Sequence, residues 1–157
     1  MREIQPGHDA TGLRFGLVAA RFNLSYVERL VAAALEVLRA RGAAEPDLEL
    51  HWVPGAFELP LAARWMTAGA PCDAILAFGV VIRGETEHFR LVADAATSGL
   101  LRVSLDTGVP VLNGVLAAYD AAQAEARCGG RVGNRGAEIA LAAVQMARLR
   151  VAAGSRV

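Results

Sequence analysis

The chain has no excess charge of either sign. Lys plus Arg and Asp plus Glu number 16 each, so nothing in it resembles the basic footprint of a nucleic-acid binder, and a small partner is expected. Cysteine is scarce, and Cys72 and Cys128 lie far apart without paired-ligand spacing, which argues for two reduced thiols, with a disulfide as the lesser alternative. No stretch approaches the ~18 uninterrupted apolar residues of a membrane span. The opening MREIQPGHDATG has no apolar signal-peptide core, so a cytoplasmic protein with no membrane partner is expected. Neither a P-loop nor a GxGxxG fingerprint occurs, and a nucleotide is not implied. No repeat, low-complexity tract or linker divides the 157 residues, which suit one compact domain, 13–157, preceded by an N-terminal arm, 1–12.

What the chain has in quantity is apolar surface. A hydrophobic fraction of 54% and a mean hydropathy of +0.34 are high for a soluble monomer. Subunit interfaces are the expected destination of that surface, although an alanine-rich, highly helical monomer would share the composition.

The apolar runs alternate between strand-like and helix-like. Arg14 to Ala20 reads as a first strand, and Asn23 is a candidate cap for a helix in which Val27, Leu30, Val31, Leu35 and Leu38 recur until Gly42. Leu48 to Val53 is the second strand, Pro54 and Gly55 the turn, and Phe57 to Ala68 a helix ended by Gly69. Asp73 to Ile82 lacks alternation and reads as a strand buried on both faces. A helix from Thr86 to Val103 follows, then a fourth strand from Val109 to Leu116 after Gly108. Asp120 to Arg127 is the next helix, Gly129 and Gly130 interrupt, and Asn134 caps the last, from Arg135 to Ala152. This order predicts an α/β three-layer sandwich, flavodoxin-like in outline, with a four-stranded parallel sheet flanked by helices. The N-terminal arm fits no helix; it either adds an edge strand to a neighbouring subunit or frays.

Distinctive residues gather at the strands' carboxyl ends, the edge where open α/β sheets bind ligands. Phe22 is a flat face for an aromatic ring or a core aromatic beneath a turn. Glu58 is a hydrogen-bond acceptor for hydroxyls and amines, or a first-turn carboxylate favoured by the helix dipole. Gly84, Glu85 and Thr86 open a helix whose unpaired N–H groups favour an anion, unless they are an ordinary start capped by Thr86. Arg127 and Arg135 flank the glycine-rich break, and guanidinium groups suit phosphate. His88 is the candidate general acid/base. A helix N-terminus disfavours imidazolium, so a carboxylate is needed nearby, and Glu138 is the one nominated.

These residues resemble the 6,7-dimethyl-8-ribityllumazine synthase family. The similar motifs are GLRFGLVAARFN (12–23), VPGAFELP (53–60), GVVIRGETEHF (79–89), VPVLNGVL (109–116) and GNRGAEIA (133–140), in order along most of the chain. The resemblance implies condensation of 5-amino-6-(D-ribitylamino)uracil with 3,4-dihydroxy-2-butanone 4-phosphate to 6,7-dimethyl-8-ribityllumazine, phosphate and water, in riboflavin biosynthesis. It implies no cofactor and no metal. Phe22 and Asn23 then border the pyrimidine site, Ala56, Phe57 and Glu58 with Val80, Val81 and Ile82 hold the ring and ribityl chain, and Gly84, Glu85 and Thr86 bind the phosphate. His88 carries protons and Arg127, the second catalytic residue, binds the phosphate, while Arg135 and Asn113 belong to the substrate site, Arg127 and Asn113 being supplied by the adjacent subunit.

The family assembles as pentamers, often built into a hollow icosahedral shell of sixty subunits, and association with riboflavin synthase is a further expectation. The short turn 128–134 carries no insertion, which favours the shell. Departures from the family pattern are Ala117, Ala118 and Tyr119 where threonines are usual, Asn113 where some members have an aromatic, and Arg135 for lysine. The two alanines keep an alternative open, a catalytically weakened lumazine- or flavin-binding shell protein. A flavodoxin-like electron carrier is the second rival, but the loop after the first strand lacks its Ser/Thr-rich phosphate site.

Overall fold

In a computed structural model, which describes residues 1–154, four parallel strands form one sheet in the order β2-β1-β3-β4. They are β1 (Phe15–Ala20), β2 (Leu48–Val53), β3 (Ala74–Ile82) and β4 (Val111–Ala118). All six residues of β1 are buried, as is β3 except at its last residue, because both central strands are covered on both faces. The outer strand β2 alternates half-buried and exposed positions, as an edge does.

Strand residues alternate between two cores. Phe15, Leu17 and Ala19 with Leu76, Phe78 and Val80 pack under helices α1 (Leu24–Ala40) and α5 (Arg135–Ala152). Val18 and Ala20 with Ile75, Ala77 and Val81 face α2 (Leu59–Ala68) and α3 (His88–Thr107). Three layers result, and the expected α/β sandwich is the observed one. The remaining elements are a 3-10 turn at Glu45–Asp47, α4 (Ala121–Arg127), a further 3-10 turn before α2, and a short antiparallel pair, β5 (Cys128–Gly130) and β6 (Gly133–Asn134), which holds the glycine-rich break. No buried polar or charged residue occurs among the described residues, so stability rests on apolar packing with charges kept at the surface.

Several boundaries differ from expectation, each for a local reason. The helix expected from Phe57 starts as a 3-10 turn, Ala56–Glu58, and becomes α-helical at Leu59, with Pro60 in the first turn where a missing N–H costs nothing. The third helix begins at His88 rather than Thr86 and runs on to Thr107, where Gly108 at φ 67° ends it. The fourth strand starts beyond Pro110, at Val111. Asn23 precedes α1 but makes no capping bond with its side chain, since its left-handed backbone (φ 55°) points the amide elsewhere. Asn134 does cap α5, accepting from the Gly136 N–H at 2.8 Å.

No helix or strand forms before β1. The Arg148 guanidinium donates to the carbonyls of Asp9 (2.6 Å) and Thr11 (2.8 Å), and Ala10 and Leu13 are buried, so the end of the segment is tied to α5. Residues 155–157 of the expected domain lie outside the described residues.

Candidate active site

The strand order reverses between β2 and β3, which lie on opposite sides of β1, and a cleft of about 380 Å³ opens at the carboxyl ends of β1 and β3. This is the switch point at which a doubly wound sheet leaves a crevice. Phe22 closes one side just after β1. Gly55, Ala56 and Phe57 come from the turn after β2, Val80 to Ile82 from the end of β3, and Gly84 and Thr86 from the loop that follows. His88, Phe89 and Val92 complete the lining from the first turns of α3.

The walls are chiefly apolar. Phe22 and Phe57 remain 69% and 64% exposed, so Phe22 is no core aromatic; its ring is presented at the mouth. Asn23 crosses behind it and donates from Nδ2 to the Val80 carbonyl at 2.7 Å, tying the β1 loop to β3. Beside the main cleft a second hollow is lined by Glu58, Leu91 and the shared Phe57, His88 and Val92. Glu58 thus faces the neighbouring hollow, with its carboxylate at the surface.

Residues 83–88 are all exposed. Glu87 holds the cap position without a side-chain bond, and Thr86 just before it does the capping work, its Oγ1 accepting from the first-turn His88 N–H at 3.3 Å. Glu85 is exposed and does not line the cleft, and His88 stands at the first helical position. Val92 and Phe89 were not singled out from sequence as lining residues. The signal was present in the spacing 88, 89 and 92, which shares one helix face.

Four expected site residues lie away from this cleft within the chain. Arg127 lines a separate cleft of about 390 Å³ with Leu116 to Tyr119, Gln123 and Arg131. Ala117 and Ala118 belong to that cleft, not to the one holding His88. Glu125 is engaged by Arg29 through two bonds of 2.7 and 2.8 Å, and neither Arg127 nor Arg131 takes an ion pair among the described residues. Glu138 bonds Arg135 at 2.8 Å, and no contact joins it to His88 in the chain. Asn113 lies on β4, its Oδ1 accepting from the Val115 N–H at 3.0 Å. The two cysteines take no part: burial raises both thiol pKa values.

Fold and site together define a doubly wound α/β protein with a preformed apolar cleft at its switch point, one imidazole at the rim and guanidinium groups on a second face. The chain belongs to the 6,7-dimethyl-8-ribityllumazine synthase family, whose sequence model matches residues 12–151. It is similar to the 6,7-dimethyl-8-ribityllumazine synthases of Stenotrophomonas maltophilia strain R551-3, 51% identical, and strain K279a, 50% identical. Each similarity runs over 136 residues and covers 87% of this chain and 88% of the relative. No helix among the described residues is long and apolar enough to cross a membrane.

Proposed function

We propose that the chain condenses 5-amino-6-(D-ribitylamino)uracil with 3,4-dihydroxy-2-butanone 4-phosphate, giving 6,7-dimethyl-8-ribityllumazine, inorganic phosphate and water. The observation that carries this reading is the apolar cleft bounded by Phe22, Ala56, Phe57 and Val80 to Ile82, with His88 at its rim, in a chain of this family. A flat pyrimidine stacks on Phe22, with Asn23 fixing the loop behind it. The backbone of 56–58 and 80–82 holds ring edges and ribityl chain, and Glu58 accepts from its hydroxyls. Gly84, Glu85 and Thr86 offer exposed amides to the phosphate.

The chemistry is a sequence of proton movements. An amine attacks the ketone and water leaves to form an imine; phosphate is then eliminated, and the second amine closes the ring with loss of another water. His88, exposed beside the cleft, takes and returns protons. The rest of the acceleration comes from holding two reactants together.

Arg127 supplies charge for the phosphate from an adjacent subunit, with Asn113 from the same neighbour and the Arg135–Glu138 pair at its edge. The separation of the Arg127 and His88 clefts within one chain supports this arrangement. Exposed Leu61 and Trp65 on α2 and Leu101 and Leu105 on α3 support a close-packed ring of subunits, which we read as a pentamer built into an icosahedral shell in the cytoplasm, able to associate with riboflavin synthase. The test of the reaction is direct. The purified protein mixed with both substrates produces the lumazine chromophore and phosphate together, and binding without turnover would overturn the proposal. Sedimentation tests the assembly: a particle with the mass of five chains refutes the shell.

A further inference from the structure

We propose that Tyr119 is a positioning residue that clasps both ends of the segment carrying the loop amides and His88; this rests on the function proposed above. The Arg83 guanidinium lies over the Tyr119 ring, 5.9 Å from its centre, and Phe89 meets the same ring edge-on, with centroids 6.2 Å apart at 62°. Arg83 and Phe89 are the residues on either side of Gly84 to His88. One ring therefore grips the segment before its first residue and after its last.

The segment needs such a clasp because it has little else. Every residue from 83 to 88 is exposed, and inside it the one side-chain hydrogen bond is the 3.3 Å contact from the His88 N–H to Thr86. Tyr119 is itself 57% exposed, but the backbone that carries its ring is fixed. The Tyr119 N–H donates to Gln123 Oε1 at 2.8 Å, and the Arg83 N–H donates to the Ala118 carbonyl at 2.9 Å, which extends the sheet to the base of the clasp. Tyr119 also lines the Arg127 cleft while Phe89 lines the His88 cleft, so their contact is the wall between the two. Only the face and edge of the ring make these contacts. The hydroxyl makes none of them, and the aromatic ring is what the position requires.

The experiment compares Tyr119→Ala and Tyr119→Phe with the unsubstituted chain by hydrogen exchange of peptides spanning 84–90 and by steady-state kinetics, with particle mass as a control. In Tyr119→Ala, exchange in that peptide quickens and kcat falls, each by about 3- to 10-fold, the worth of one aromatic contact. The KM for ribitylaminouracil, held at Phe22 and 56–58, stays within about twofold, and Tyr119→Phe restores exchange and kcat. Should Tyr119→Ala fail to assemble, Tyr119→Leu, which keeps apolar bulk without a ring, is measured in its place. Unchanged exchange or unchanged kcat in the ring-less variant overturns the clasp, as does equal impairment in Tyr119→Phe. If the unsubstituted protein shows no turnover, the reaction falls and exchange alone decides the clasp.

Discussion

Asn23 and Val80 are joined across the floor of the cleft by a 2.7 Å hydrogen bond from the Asn23 amide to the Val80 carbonyl, and Asn23 is the non-glycine among the described residues with a left-handed backbone (φ 55°). The two facts are one device. Asparagine tolerates that conformation better than other residues with a Cβ, and the conformation aims its side chain at β3 instead of at the helix it precedes. Asn23→Ala loses the bond and gains strain, and we expect a loss of about 1.5–3 kcal/mol in urea unfolding at fixed protein concentration. Asn23→Gly relieves the strain alone and is expected to lose roughly 1 kcal/mol. Equal stability of the two variants would contradict the account.

Gly136 marks a close approach of α5 to α1. A Cβ there would stand 2.0 Å from the Leu30 carbonyl oxygen, and Asn134 Nδ2 already donates to the Arg29 carbonyl at 3.2 Å one step away. Backbone on one helix pressed by backbone on another leaves no flexible atom to yield. Gly136→Ala is therefore expected to cost about 3 kcal/mol or more and to lower the yield of folded protein. A variant with an unchanged thermal midpoint would show that the helices separate freely.

Three surface carboxylates give the fold a shared acid dependence. Thr11 holds Asp9 below the ordinary 3.8, Arg39 holds Glu45 below 4.5 and Arg29 holds Glu125 below 4.5. Because their folded values are lowered, the stability they contribute is present above the ordinary values and is lost as pH falls through the folded ones. All three are exposed, so the effect per group is small and weakens with salt. Glu125→Gln should lower the urea midpoint near neutral pH but leave it unchanged in strong acid, where the native carboxylate is already protonated. A deficit that persists in acid would mean that the side chain acts through packing.

The buried strands and the final helix were legible because their signals are local: unbroken apolar runs for β1 and β3, and the Asn134 cap one residue before α5. The strand-end cluster was legible for the same reason, since a parallel strand buried on both faces must end in its polar residues. What was illegible depends on partners distant in sequence. The Asn23 amide reads as a cap until β3, 57 residues on, offers the Val80 carbonyl. Ala117 and Ala118 line the cleft of Arg127, and that this cleft is separate from the one holding His88 within a chain is visible only once the fold is built.

His88 and Arg127 line different clefts of one chain, and this separates two kinds of kinetic effect. His88→Ala is expected to lower kcat by about 10² to 10⁴ while substrates still bind, because juxtaposition survives the loss of a proton carrier. Arg127→Ala removes a charge-assisted contact to phosphate and is expected to raise KM for the butanone phosphate by about tenfold or more, with little change for ribitylaminouracil. The decisive measurement mixes the two variants. If a site takes its imidazole from one subunit and its guanidinium from the next around a closed ring, unfolding and reassembling equal amounts leaves about a quarter of sites with both groups intact. With the butanone phosphate held well below its KM, activity then exceeds that of either variant alone. If both groups served the site of their own chain, every site in the mixture would lack one of them, and mixing would recover nothing.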